Sequence, residues 1–181
     1  SAALAWWREW EAAPSWRRAS RAPLEYATAR ATLAHWLAEG DWPLASASPS
    51  QAWAQLWRAP DALASLRPAL HTPRACARLA RCLPEASQVL ALRRAVPAQA
   101  DVLLSWLARM ALLPGPTSQQ GQRRAQLWQA LWRTVAQADA SWSAARWLDE
   151  ATRTLAQLRR QDADRLRVAL ARTLHAHTPA D

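Results

Sequence analysis

Lysine, phenylalanine, isoleucine and asparagine are absent from this 181-residue chain, and glycine occurs only 3 times. The missing residue types share AT-rich codons, which points to a GC-rich bacterial genome rather than to a chemical requirement. Some arginine here would be lysine in another genome, and some of the 13 tryptophans stand where phenylalanine would otherwise serve. Enzyme signatures are also missing. The chain contains no GxGxxG, P-loop, HExxH or GxSxG, so the usual phosphate cradle, zinc-protease helix and nucleophile elbow are excluded. Its longest apolar stretch, Val102 to Leu113, is short and interrupted by Arg109, so no membrane span is expected. No signal peptide opens the chain, and no initiator Met either, as in a processed or trimmed product.

Cysteine is scarce. Cys76 and Cys82 lie six apart, about 600° around a helix, and so on different faces. That excludes a disulfide within the helix, and the absence of CxxC argues against a zinc site. Two buried thiols in a reducing compartment are expected. The histidines are His35, His71, His175 and His177. His175 and His177 diverge by about 200° on a helix, and neither they nor His35 beside Trp36 make a metal or catalytic set. Carboxylates number 14, and the pairs Asp149/Glu150 and Asp162/Asp164 are read as helix-start residues that complement the macrodipole. The chain is therefore read as a non-enzyme, with no cofactor, no metal and no small-molecule substrate.

What is present is helical. Hydrophobic residues make up 51% and charged residues 20%, enough to build a core, and a chain of this length buries roughly 70% of its unfolded surface. Proline punctuates the sequence where helices would begin. Ser48-Pro49-Ser50-Gln51 reads as a capping box with Pro at N1, and Thr72-Pro73 as a cap with Pro at N1. Pro60, Pro84 and Pro97 likewise sit where a missing N–H costs nothing. The pattern predicts helices over 3–12, 24–39, 49–58, 60–70, 73–82, 84–95, 98–112, 122–138, 142–160 and 163–176. The fold class is all-α: stacked short helical hairpins over 1–113, a loop at 114–121, and three longer amphipathic helices over 122–181 packed on the rest as one compact domain. Leu127, Trp128, Leu131, Trp132 and Val135 form the first long stripe. Trp147, Leu148, Ala151, Leu155 and Leu158 form the second, and Leu166, Ala169, Leu170 and Leu174 the third. One short echo pairs residues 54–59 with 125–130.

The net charge is +9 and the pI about 11.4, a balance that attracts nucleic acid, anionic membranes or acidic partners. The arginines are spread along the chain in no run longer than a pair, as on solvated helix backs. Trp6, Trp7, Trp10, Trp16, Arg17 and Arg18 cluster near the start. Stacking on single-stranded bases, a helical core stripe and a protein interface all fit that cluster. A domain this size struggles to bury thirteen indoles completely, so most are assigned to the core and some to an interface, with Trp6, Trp7 and Trp42 as candidate contact points.

Residues 35–44 read His-Trp-Leu-Ala-Glu-Gly-Asp-Trp-Pro-Leu. This resembles a segment of the tape-measure proteins of extracellular contractile injection systems, in which an aromatic-Leu pair ends a helix before Thr-Gly, one residue, and Leu-Pro-Trp. Trp36 and Leu37 take the aromatic-Leu place, Gly40 the glycine and Pro43 the proline. Glu39, Trp42 and Leu44 depart from the pattern. Residues 74–85 resemble the Arg/Leu-rich helix of that family ending in Leu-Pro-Glu, and 127–174 its later three-helix pattern. The resemblance covers 24–175 and implies a structural or scaffolding protein whose partners are other subunits of a larger assembly. It also implies a cytoplasmic protein that is incorporated into a secreted or cell-associated particle. Physically, Trp36, Leu37, Gly40, Trp42 and Pro43 read as a helix stop with a hydrophobic latch. Two alternatives stay open: a helical adaptor of another secretion machine, of the type III sorting-platform kind, and a basic Trp/Arg single-strand nucleic-acid binder, although a nucleic-acid partner is not the expected one.

Overall fold

The computed structural model describes residues 25–45 and 47–176. Among them are nine α-helices and one 3₁₀ turn, with no strand. The helices are α1 (Tyr26–Glu39), α2 (Pro49–Leu56), α3 (Ala62–Leu70), α4 (Pro73–Cys82), α5 (Glu85–Ala95), α6 (Ala100–Ala111), α7 (Gln120–Gln137), α8 (Ala144–Arg159) and α9 (Ala163–Ala176); the 3₁₀ turn, Thr117–Gln119, precedes α7. The expected helix at 3–12 and the candidate contacts Trp6 and Trp7 lie outside the described residues.

Consecutive short helices pair as hairpins: α1 with α2, α3 with α4, α5 with α6. The first hairpin also meets α3 and α4 through α1, and α5 through α2. α7 is the axis on which these hairpins lean, touching α3, α4, α6 and α8. Its buried residues, Leu127, Trp128, Ala130, Leu131, Trp132, Thr134, Val135 and Ala136, wrap most of its circumference, as a helix enclosed by neighbours requires. α8 packs between α7 and α9, and α9 rests on α8 and α6. Burial falls along that order. On α9, Leu166 is buried, whereas Ala169 and Leu170 are half-buried and Val168 is exposed.

The capping box forms: the Ser48 hydroxyl accepts from the Gln51 N–H at 3.2 Å, and Gln51 Oε1 accepts from the Ser48 N–H at 2.7 Å. Other starts differ from expectation. Thr72 does not cap α4; its hydroxyl turns back to donate to the Ala69 carbonyl at 3.2 Å, closing the turn after α3. Pro60 and Pro97 lie in turns ahead of helices that begin at Ala62 and Ala100. Pro84 takes the N-cap position rather than N1. Pro68 sits inside α3 and withholds an N–H from the exposed end of that helix, which stops two residues later. The loop at 114–121 is shorter than its composition implied, since Gln120 and Gly121 already belong to α7.

Two side-chain expectations are also corrected. Cys76 is fully buried but Cys82 is exposed, because a six-residue spacing turns the second thiol away from the face that α4 packs on α7. Both are free thiols. Asp149 and Glu150 are not helix-start residues. They lie in the second turn of α8, where Arg153 pairs with both, and Arg167 of α9 donates from Nε to Asp149 at 3.0 Å. Asp162 does act at a helix start, accepting the Arg165 N–H at 3.0 Å.

Tryptophan fills the centre. Trp53 stands edge-on to Trp57 at 5.3 Å and to Trp132 at 5.4 Å, joining α2 to α7. The Trp132 indole N–H donates to Gln88 Oε1 at 3.0 Å, and Gln88 Nε2 donates to the Leu83 carbonyl at 3.0 Å, so a buried glutamine satisfies an indole and the end of α4 together. Trp106 donates to the Thr152 hydroxyl at 3.0 Å. Trp57 and Trp128 are equally buried, yet their N–H groups meet no acceptor among the described residues. These two occupy matching positions of the 54–59 and 125–130 echo. There tryptophan serves only as an apolar wedge, the role assigned above to a substitute for phenylalanine.

Candidate functional site

The helix stop at residues 36–43 is a built turn. Gly40 adopts φ +97° and its N–H returns to the Trp36 carbonyl at 2.9 Å, the αL termination that glycine accepts without strain. Trp36 and Leu37 are buried. Trp42 folds back edge-on against Trp36, with ring centroids 6.0 Å apart and planes at 90°, and its indole N–H donates to the Ala47 carbonyl at 2.6 Å. Trp42 is half-buried, with one edge committed to the latch, while Pro43 is exposed.

The residue that completes this turn comes from α4. Arg78 Nη1 donates to the Trp36 carbonyl at 2.7 Å and also to the Leu37 carbonyl. The Trp36 carbonyl thereby gains a second donor beside the Gly40 N–H, whereas the Leu37 carbonyl is one that the end of a helix leaves without a backbone donor. The guanidinium covers both and sets a cation at the negative end of the α1 macrodipole. A Cβ on Gly40 would lie 2.8 Å from Arg78 Nη2, so glycine serves close approach as well as φ. Periodicity did not single out Arg78; its membership of the 74–85 stretch was the available signal.

The same device recurs. Arg94 donates to the Trp57 carbonyl at the end of α2, and Arg67 to the Ala138 carbonyl at the end of α7, the latter at 2.6 Å. Arg123 donates to the Leu113 and Pro114 carbonyls after α6, at 2.9 and 3.1 Å. A Cβ on Gly115 would lie 1.8 Å from Arg123 Nη1, so a larger residue there would push this guanidinium aside. Four guanidiniums that composition alone would count as surface charge thus close helix ends.

Beside the latch, Arg74, Arg78 and Arg81 share one face of α4 at i, i+4 and i+7. With Cys82 and Gln129 they border a shallow groove of about 470 Å³. Elsewhere, His35 and His71 are exposed and well separated in the chain. Among the described residues no three His, Cys, Asp or Glu side chains gather as a metal would require, and no helix is long and apolar enough to cross a membrane. No protein-family model, curated protein or solved structure matches the chain.

Proposed function

We propose that this chain is a non-enzymatic structural or scaffolding protein of a bacterial contractile injection particle, tape-measure-like, which works through helical surfaces that dock on other subunits. The observation that supports it is the contact between Arg78 and the 36–40 turn. The two stretches that carry the family resemblance, 35–44 and 74–85, are one unit in space: a helix stop and the arginine that caps it. A motif that recurs as two distant stretches is accounted for when both build a single feature. The protein acts in the cytoplasm, where it is incorporated into the particle.

The single-strand reading is less well supported. Arg67, Arg78 and Arg94 hold backbone carbonyls and so offer phosphates less than the charge count implies.

The test is made in the native host. A tagged chain is expected to sediment with sheath and tube proteins, and its deletion to abolish particles of normal length under the electron microscope. Particles of unchanged number and length in the deletion strain would rule the proposal out.

A further inference from the structure

The amino end of α7 gathers positive charge with little to balance it. Arg123 and Arg124 occupy its early turns, where a helix favours anions, and no acidic residue is present in its first turn. Arg159, near the end of α8, lies against them. Two adjoining cavities, about 510 and 520 Å³, open on either side of Arg123 and Arg159, which line both. Arg124 is paired with Glu85 at the rim. Arg123 and Arg159 are half-buried, and neither has a carboxylate within reach among the described residues. Arg159 donates only to neutral oxygens: Gln126 Oε1 at 3.3 Å and the Arg123 carbonyl at 3.4 Å. Burial, and then the Arg123 charge, hold the Arg159 guanidinium below its ordinary pKa. Arg123 likewise donates only to the neutral Leu113 and Pro114 carbonyls, so two half-buried cations stand together without the counter-charge that charged groups held out of water ordinarily have.

We infer that the groove between the amino end of α7 and the end of α8 receives a carboxylate side chain from an acidic segment of a partner protein, held by Arg123 and Arg159. Each guanidinium keeps N–H donors beyond the bonds just named, and a carboxylate accepts the forked pair that a guanidinium presents. Glu85 lines the same cavity, and its charge opposes a phosphate dianion more than a monovalent carboxylate. The inference rests on the docking role proposed above and names the chemistry of one docking point.

The experiment is fluorescence anisotropy with a labelled peptide of alternating Glu and Leu, beside its Gln/Leu counterpart, on the full chain. Binding of the acidic peptide is expected, weakening with salt, and Arg159→Gln should lower its affinity about tenfold, the effect of one charged hydrogen bond. Arg81→Gln, the same charge loss on the α4 face, should leave it unchanged. Gly121→Glu provides a second arm that does not depend on removing a residue. A Cβ there meets nothing within 4 Å, so a tethered carboxylate should raise the melting temperature and block the peptide. Equal binding of the neutral peptide, equal loss in Arg81→Gln, or displacement by inorganic phosphate at lower concentration than by unlabelled acidic peptide would overturn the inference. Site-specific peptide binding in a protein whose deletion leaves particles normal would keep the groove and discard the assembly role. A particle-defective deletion with no peptide binding would do the reverse.

Discussion

Arg78 donates a hydrogen bond to the carbonyl of Trp36 at 2.7 Å across a separation of 42 residues, and the glycine that ends α1 leaves the space through which it does so. Gly40→Val should therefore cost more than a helix-propensity difference. The αL conformation costs a non-glycine residue about 1–2 kcal/mol, and the valine must also displace the Arg78 guanidinium. Arg78→Gln should cost about 1–3 kcal/mol through the Leu37 carbonyl it leaves without a donor. The double variant should lose less than the sum, because both changes remove one contact. Urea melts of the four proteins decide it; a Gly40→Val variant as stable as the parent would eliminate the helix stop as a structural element.

Trp132→Phe and Trp128→Phe remove the same atoms from equally buried sites, but only Trp132 uses its N–H. Leaving Gln88 Oε1 without a donor should make Trp132→Phe the worse by about 1–3 kcal/mol. Trp128→Phe should show only the effect of a small cavity. Equal losses in denaturant titrations would mean that the Trp132–Gln88 hydrogen bond contributes nothing net.

Cys76 is fully buried, with its thiol 3.2 Å from the Leu70 carbonyl, and burial pushes its pKa from the ordinary 9.0 to about 12. Below pH 9 the thiol is protonated whether the chain is folded or unfolded, and stability is unaffected. Above it the unfolded chain ionises first, so the contribution of Cys76 falls as pH rises toward about 12. The slope is at most about 1.4 kcal/mol per pH unit. Cys76→Ser should flatten that decline, as unfolding measured across the alkaline range would reveal. In the native protein a disulfide reagent should modify Cys82 alone, and a second equivalent should react only on unfolding.

Arg160 ends α8 at φ 52°, with its N–H on the Gln157 carbonyl and the Gln161 N–H on the Ala156 carbonyl, a Schellman turn with arginine in the glycine position. Arg160→Gly should stabilise the fold by about 1 kcal/mol. A thermal melt checks it, and a loss of stability would show that the Arg160 side chain contributes more than its backbone costs.

Helix positions were legible because prolines and one strong capping box mark them, and because the stripes on α7 and α8 obey a single period. Trp36, Leu37, Gly40, Trp42 and Pro43 could be read as a stop because each acts within a few residues of the others. What closes that stop could not be read, since Arg78 lies on another helix and looks like any arginine in an Arg/Ala run. Cys82 was misassigned for a related reason: spacing separates two faces without saying which one the neighbours cover. The pairing of Asp149 with Arg167 depends on α9 lying along α8, and the direction of a packing partner leaves no trace in local sequence. The groove at Arg123 and Arg159 was missed because each residue looked like solvated charge until the helix ends came together.

Closure of helix ends by guanidiniums from 42, 37 and 71 residues away ties local order to distant assembly. The Leu37 carbonyl at the end of α1 gains its guanidinium donor only from α4, and the Trp57 carbonyl after α2 only from α5. A fragment cut between such a helix and its arginine would lose the donor that covers the helix end.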